Sequence, residues 1–356
     1  MSRAATLSLG LSLLLALPAA GQNPFENPPE EPPEATFGDE ITVALESMIV
    51  RVVDNLGRPI LGLKPEDFRV LVGKREVPVA GLDWISYDSA APAPEAPPER
   101  VWTVGEEEAP PQPAGRLLVF FVQADLNPTR ISGQLRLRPY TRELLATLQP
   151  GDRAAVVSFD SHLKLWLDFS SDPAAIHAAI DRAMLFGGEP ERPDVDGPFS
   201  LARAFDFAEA LDVASPERAL EVTARALEPL PGEKVMIYLG WGLGRFSSFG
   251  VQMTPDYKPA VRALGAARVT VFVLDVTSAD YHSLEVGLQS VAAATGGTYA
   301  KTHVLTGLAT RALARTISGH YVLTLDADAL PASGGKVRVE LRNRQGIVLV
   351  RPVSVR

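Results

Sequence analysis

LLVFFVQADLNPTRISG, residues 117–133, starts as an unbroken apolar run and turns polar at Gln123, Asp125, Asn127 and Thr129. Apolar residues at consecutive positions suit a strand buried on both faces, as in a parallel sheet covered by helices. The alternating oxygen-bearing side chains that follow admit two readings. They are a cradle for a hard metal ion, or a turn and helix N-cap in which Asp and Asn bond their own backbone. The choice between them bears directly on function.

Downstream, the same alternation of strand and helix continues. RAAVVSF (153–159), KVMIYLG (234–240) and VTVFVLDV (269–276) are further buried strands. LKLWLDF (163–169) alternates apolar and polar residues and follows its neighbour after only DSH, which fits a hairpin to an antiparallel edge strand. Helical stretches lie between. SGQLRLRPYTRELLATL contains Pro139 as an expected kink, and AAIHAAIDRAML is capped by Ser171-Asp172-Pro173. SPERALEVTARAL opens on Ser215 with Pro216 at the first turn. TPDYKPAVRALGAAR, SLEVGLQSVAAATGG and LATRALARTIS complete the set, with TYAKT as a short strand. Such alternation predicts a doubly wound, mostly parallel α/β sheet over 115–318.

The flanks read differently. Residues 38–88 are β-like: an alternating run breaks at Asp54-Asn55-Leu56-Gly57-Arg58-Pro59, and FRVLVGKREVPVAGLDWI gives two short strands around Gly73-Lys74. The tail, 319–356, holds three more β segments separated by turns. Some fifty residues are few for an independent core, so strands from the two chain ends are candidates to form one small β-sandwich-like domain. Residues 22–37 and 89–114 are rich in Pro and Glu and read as a tether and a linker.

At the start, Arg3, the apolar run 7–19 and the small residues Ala19-Ala20-Gly21 have the form of a signal peptide over 1–21. The mature chain contains no later segment long and apolar enough to span a membrane, so a periplasmic or extracellular location is expected. The absence of cysteine excludes disulfides and thiolate metal sites. Net charge of −9 argues against nucleic acid and against docking on an anionic membrane.

In order, LQPGDRAAVVSFD (148–160), FSSDPAAIHAAI and VTVFVLDV…LEVGLQSVAAATGGTYAKT resemble the von Willebrand factor A (VWA) domain. VVDNLGRPILGLKPEDFRVLVGKREVPV and HYVLTLDAD…GGKVRVELRN resemble the β regions that flank it in the VWFA-related bacterial group. The resemblance covers nearly the whole mature chain. It implies a Rossmann-like sheet with a metal-ion-dependent adhesion site at its carboxyl rim. That site has an Asp-x-Ser-x-Ser loop, a Thr from a second loop and an Asp from a third, and Mg²⁺ is the ion implied.

This sequence departs from that pattern. The first loop offers Asp125-x-Asn127-x-Thr129, or Gln123-x-Asp125-x-Asn127. The second offers Glu189, Asp194, Asp196 and Ser200 without a clean Thr. The third has Gly240-Trp241-Gly242 in place of a carboxylate. One Asp with neutral oxygens is a poor match for an ion that dehydrates reluctantly. The expectation is therefore a degenerate site, with Asp125, Asn127 and Thr129 serving a turn and cap more than a metal, and no resident cofactor.

Other chemistry is weaker. Asp160-Ser161-His162 holds the residue types of a hydrolytic triad, but a triad requires His between Ser and acid, which consecutive residues rarely achieve. His177, His282, His303 and His320 lack ligand spacing and are expected at the surface or in caps. The glycines of YLGWGLGRF do not match a nucleotide loop. Trp241, Arg245, Phe246 and Phe249 instead have the chemistry of a protein-interface anchor, unless they pack beneath the next segment. The expected function is an exported, non-enzymatic module that binds a protein of the envelope or beyond it. The alternatives are a hydrolase or nucleotide-binding enzyme on the same scaffold, a metal-dependent adhesion protein, or a purely structural envelope protein. Oligomeric state is not encoded in any motif.

Overall fold

The computed structural model describes residues 47–87, 115–195, 197–248, 250–326, 329–331, 334–351 and 354–355. The expected signal peptide, tether and linker lie outside the described residues, as do Asp196 and Phe249.

The opening stretch forms β5 (Leu117–Gln123), buried at every position. It sits at the centre of a six-stranded sheet. Its companions are β6 (Arg153–Phe159), β7 (Leu163–Ser170), β8 (Lys234–Gly240), β11 (Val269–Asp275) and β12 (Tyr299–Lys301), in the order β12-β11-β8-β5-β6-β7. All neighbours are parallel except β7, which runs antiparallel to β6 at the edge. Numbered from β5, the order is 3-2-1-4-5-6, that of a doubly wound sheet whose order reverses at its first strand.

Period-two alternation assigns the two faces. Leu117, Val119 and Phe121 point into one apolar layer, shared with α4 (Pro216–Leu227), α5 (Tyr257–Ala266) and α6 (Glu285–Thr295). Leu118, Phe120 and Val122 point into the other, shared with α1 (Pro128–Leu145), α2 (Pro173–Met184) and α7 (Thr306–Thr316). The helix α1 continues through Pro139. Its close approach to the sheet depends on Gly133, where a Cβ would collide with the Val276 carbonyl. Two short pieces escaped the sequence reading: α3 (Phe207–Asp212), and a hairpin of β9 (Arg245–Ser247) with β10 (Gly250–Gln252). Both are shorter than any periodicity can register.

The β segments from the two chain ends pair with each other. One sheet runs β15-β1-β13-β4, from β15 (Ile347–Val350), β1 (Ser47–Val53), β13 (Gly319–Leu325) and β4 (Val79–Ser86). The other runs β16-β14-β2-β3, from β16 (Ser354–Val355), β14 (Gly335–Leu341), β2 (Phe68–Val72) and β3 (Arg75–Val77). Where two strands were expected around Gly73-Lys74 there are three. Pro78, which can donate no ladder bond, separates β3 from β4 and lets the chain change sheets. Val50, Val52, Phe68, Val70, Tyr321 and Leu323 belong to a single apolar cluster drawn from both sheets.

These sheets meet the α/β part near the amino ends of its strands. Arg51 of β1 forms a buried ion pair with Glu233, just before β8, at 3.2 Å. Its guanidinium also lies 5.6 Å from the ring centre of Phe272. Thr270 donates to the same Glu233 carboxylate at 2.7 Å. Burial raises the cost of a charged Glu233, but Arg51 outweighs it and holds the carboxyl below its ordinary range. His320 of β13, expected at the surface or in a cap, is buried here instead. It sits on a central strand, where both faces are covered. Its ring stacks obliquely with Tyr87 at 5.6 Å. Burial, reinforced by Arg51, lowers its pKa to about 4.

Candidate functional site

Five parallel strands share one carboxyl rim, and the strand order reverses there between β5 and β8, the position where such sheets place ligands. The loops after β5, β8 and β11 meet at this point. Gln123, the last residue of β5, joins two of them. Its Oε1 accepts from the backbone N–H of Trp241 at 2.9 Å and of Gly242 at 3.1 Å, and its Nε2 donates to the Gly242 carbonyl at 2.8 Å. Gln123 is thus fully buried structural glue. Gln134 of α1 adds a bond to the Gln123 carbonyl at 3.1 Å.

Asp125, Asn127 and Thr129 come together as turn and cap. Asp125 accepts from the Asn127 N–H at 2.7 Å, closing an Asx turn. Asn127 accepts from the Thr129 N–H at 3.0 Å and the Thr129 hydroxyl at 2.8 Å, capping α1 with Pro128 at its first position. The other Asp125 oxygen is paired with Arg130. Arg130 in turn lies over the Trp241 ring, 3.3 Å from its centre. These residues fit a Mg²⁺ shell poorly: a guanidinium already neutralises the only carboxylate of the loop. The missing third-loop carboxylate also has a steric cause. A Cβ at Gly240 would run into the Tyr238 ring and the Gln123 side chain.

In the second loop, Ser200 is buried and donates to Asp168 at 2.5 Å. Glu189 goes elsewhere, to Lys164 at 3.0 Å and His162 at 3.1 Å. The Asp160-Ser161-His162 turn consequently gains a relay that spacing did not suggest. His162 lies between the Ser161 hydroxyl, 3.0 Å from Nδ1, and Glu189 at Nε2. The Ser161 hydroxyl also donates to Asp160 at 2.9 Å, which holds its proton away from His162.

The glycine-rich loop after β8 is pinned from below. Glu217 of α4 accepts from the Gly244 N–H at 2.6 Å, and burial raises its pKa. Trp241 is half-buried against the α1-side layer, whereas Arg245 and Phe246 on the hairpin are exposed. The four sequence candidates therefore divide: Trp241 is floor, Arg245 and Phe246 are surface, and Phe249 is outside the described residues. Other large apolar side chains stand exposed around the same rim. Leu126 follows β5, Tyr281 follows β11, and Val304 and Leu305 follow β12. With Phe246, Leu126, Tyr281 and Val304 are 67 to 73% exposed.

A second polar cluster forms at the end of β11. Asp275 Oδ2 accepts from the Tyr299 hydroxyl at 2.6 Å and meets His282 Nε2 at 2.6 Å. Glu285, first residue of α6, is 2.8 Å from Lys301 and 3.5 Å from the Tyr299 hydroxyl. Burial works to raise the Asp275 pKa, but bonds from His282, Tyr299 and the Thr277 N–H outweigh it and keep the carboxyl below its ordinary range. Burial and the bond to Asp275 push the Tyr299 phenol well up. His282, expected at the surface or in a cap, instead lies half-buried two residues before the α6 N-cap Leu284, with its ring turned onto Asp275. The sequence signal was His282-x-x-Glu285 after a strand-final Asp. That spacing becomes meaningful only once the loop 276–281 is known to fold back.

No family model matches the chain, and no curated protein does. Among solved structures it is similar to BatB from Bacteroides thetaiotaomicron, with 15% identity, 57% of this chain and 98% of that one covered, and a TM-score of 0.38. It is also similar to a von Willebrand factor type A structure from Catenulispora acidiphila, at 11% identity over 67% and 66% of the two chains, TM-score 0.39. A third is the vWF domain of the type V pili tip protein Mfa5 from Porphyromonas gingivalis, at 11% identity over 57% and 95%, TM-score 0.36.

Proposed function

We propose that this chain is an exported, non-enzymatic protein-binding module whose partner docks on the carboxyl rim of the VWA-like sheet. The partner is a protein of the cell envelope or outside the cell. The observation that carries the reading is the ring of exposed apolar side chains on the rim loops: Leu126, Phe246, Tyr281, Val304 and Leu305. Arg245 beside Phe246 adds the aromatic-plus-arginine chemistry that dominates interface energetics. Trp241 and Arg130 stack on one another at the floor of the rim. The two small sheets act as a β-sandwich that closes the opposite end.

Docking here needs no metal at the adhesion position, because Arg130 already occupies the Asp125 carboxylate that an ion would need. Export rests on the first 21 residues, and among the described residues no helix is long and apolar enough to cross a membrane. The test has two parts. Millimolar Mg²⁺ or Ca²⁺ leaves the melting temperature unchanged, since only a native-state ligand raises it. Phe246→Ser and Tyr281→Ser preserve stability but weaken capture of the partner by ~10-fold or more. A Mg²⁺-dependent rise that vanishes in Asp125→Ala would overturn the metal-free reading.

One observation favours a second reading, a hydrolase built on Ser161, His162 and Glu189, because His162 does lie between hydroxyl and carboxylate. Its orientation is reversed relative to a Ser-His-Asp triad, with Nδ1 and not Nε2 toward the hydroxyl. Esterase activity abolished by Ser161→Ala would establish it.

A further inference from the structure

We propose that Asp275, His282 and Glu285 form a transition-metal site, of the zinc class, displaced from the adhesion position. One ligand atom from each of these side chains lies within 4.8 Å of the other two. They come from the end of β11, the loop after it and the first residue of α6, so two rigid elements fix the carboxylates. Both carboxylates are buried, Asp275 to 1% and Glu285 to 6% exposure. Around a zinc ion with bonds of about 2.0–2.2 Å, ligand atoms lie roughly 3.4 Å apart. Closing the site therefore takes side-chain rotations, not backbone movement.

The donor set selects the ion. An imidazole nitrogen with two carboxylates suits Zn²⁺ and its neighbours, whereas Mg²⁺ and Ca²⁺ prefer oxygen and water alone. Three protein ligands leave a fourth position for water. Tyr299 stays outside the shell as the donor that orients Asp275, the kind of outer partner such ligands usually have. The Thr277 hydroxyl is buried beside it and has no hydrogen-bond partner among the described residues, leaving an oxygen available to a bound water.

Binding moves two groups. Ligation requires the His282 Nε2 lone pair to face the ion, so any proton that Nε2 shares with Asp275 leaves to solvent. Lys301, 2.8 Å from Glu285, gives way to it. In the metal-free state that ammonium does the ion's electrostatic work, and it competes with the ion for the same carboxylate.

The test uses the full mature chain with Zn²⁺ and Co²⁺ alone. Micromolar Zn²⁺ is expected to raise the melting temperature by ~5 °C, and Co²⁺ to give a visible absorption band of nitrogen–oxygen ligation. Both effects are lost in His282→Ala and in the shape-conserving Glu285→Gln, and both persist in Asp125→Ala. Lys301→Met removes the competing cation and tightens Zn²⁺ binding by ~10-fold or more. No Zn²⁺ shift in the wild type, or a shift that survives Glu285→Gln, overturns the proposal. So does weaker Zn²⁺ binding in Lys301→Met.

Discussion

Asn127 shows how one residue can look like a metal ligand and be something else. Its Oδ1 is engaged by the Thr129 N–H and hydroxyl, so its lone pairs serve the start of α1. Asn127→Ala should cost about 1 kcal/mol of stability, the usual worth of an N-cap, measurable by urea unfolding. The sequence made this turn legible because Asp, Asn and Pro carry strong local preferences. It did not show Arg130 folding back onto Asp125 and Trp241, since nothing local dictates that rotamer. His320 was misread for a related reason: burial of a single histidine depends on what covers its strand. Its lowered pKa makes a pH prediction. Above about 6.5 the ring is neutral in folded and unfolded chains alike. As pH falls from 6.5 toward 4 the unfolded chain takes up the proton and the folded one resists it. Stability should therefore fall across that window by roughly 3 kcal/mol from this residue. His320→Phe should flatten the acid limb of stability against pH; an unchanged slope would refute the assignment.

At the scale of elements, period and punctuation carried most of the fold. The continuous apolar runs gave the four central strands, and the short DSH joint gave the antiparallel edge. The six-residue α3 and the β9–β10 hairpin were illegible because they span less than two turns or two pleats, whereas the equally short β12 is marked by the Gly-Gly that closes α6 before it. The packing of α1 on the loop after β11 rests on one absent side chain. Gly133→Ala would drive a methyl into the Val276 carbonyl and separate the two elements. We expect a loss of about 1–3 kcal/mol, the range for overpacking a fixed contact. Because Ser132 and Arg136 of α1 both bond Ser278, the same variant should loosen the β11–α6 loop, seen as faster hydrogen exchange there. Unchanged exchange would show that the two elements are held together by something other than this contact.

In the whole molecule, the two chain ends form sheets that join the α/β part near the amino ends of its strands, away from the rim. The Arg51–Glu233 pair ties the two parts together. Removing one partner strands a buried charge, so Arg51→Ala should destabilise by about 3–5 kcal/mol, with Arg51→Met milder because it keeps the stem packed. Sequence could not predict this pair, whose members lie 182 positions apart. Nor could it place the exposed apolar side chains on one rim, because their common position follows only from strand order. Partner docking on that rim is tested most directly by site-specific photo-crosslinking in intact cells that make the full chain. A photoreactive residue at Phe246 or Tyr281 should yield one discrete protein adduct, while the same residue at Leu61, exposed on the β part, yields none. Equal labelling at Leu61, or adducts from Leu61 alone, would contradict a partner-binding rim.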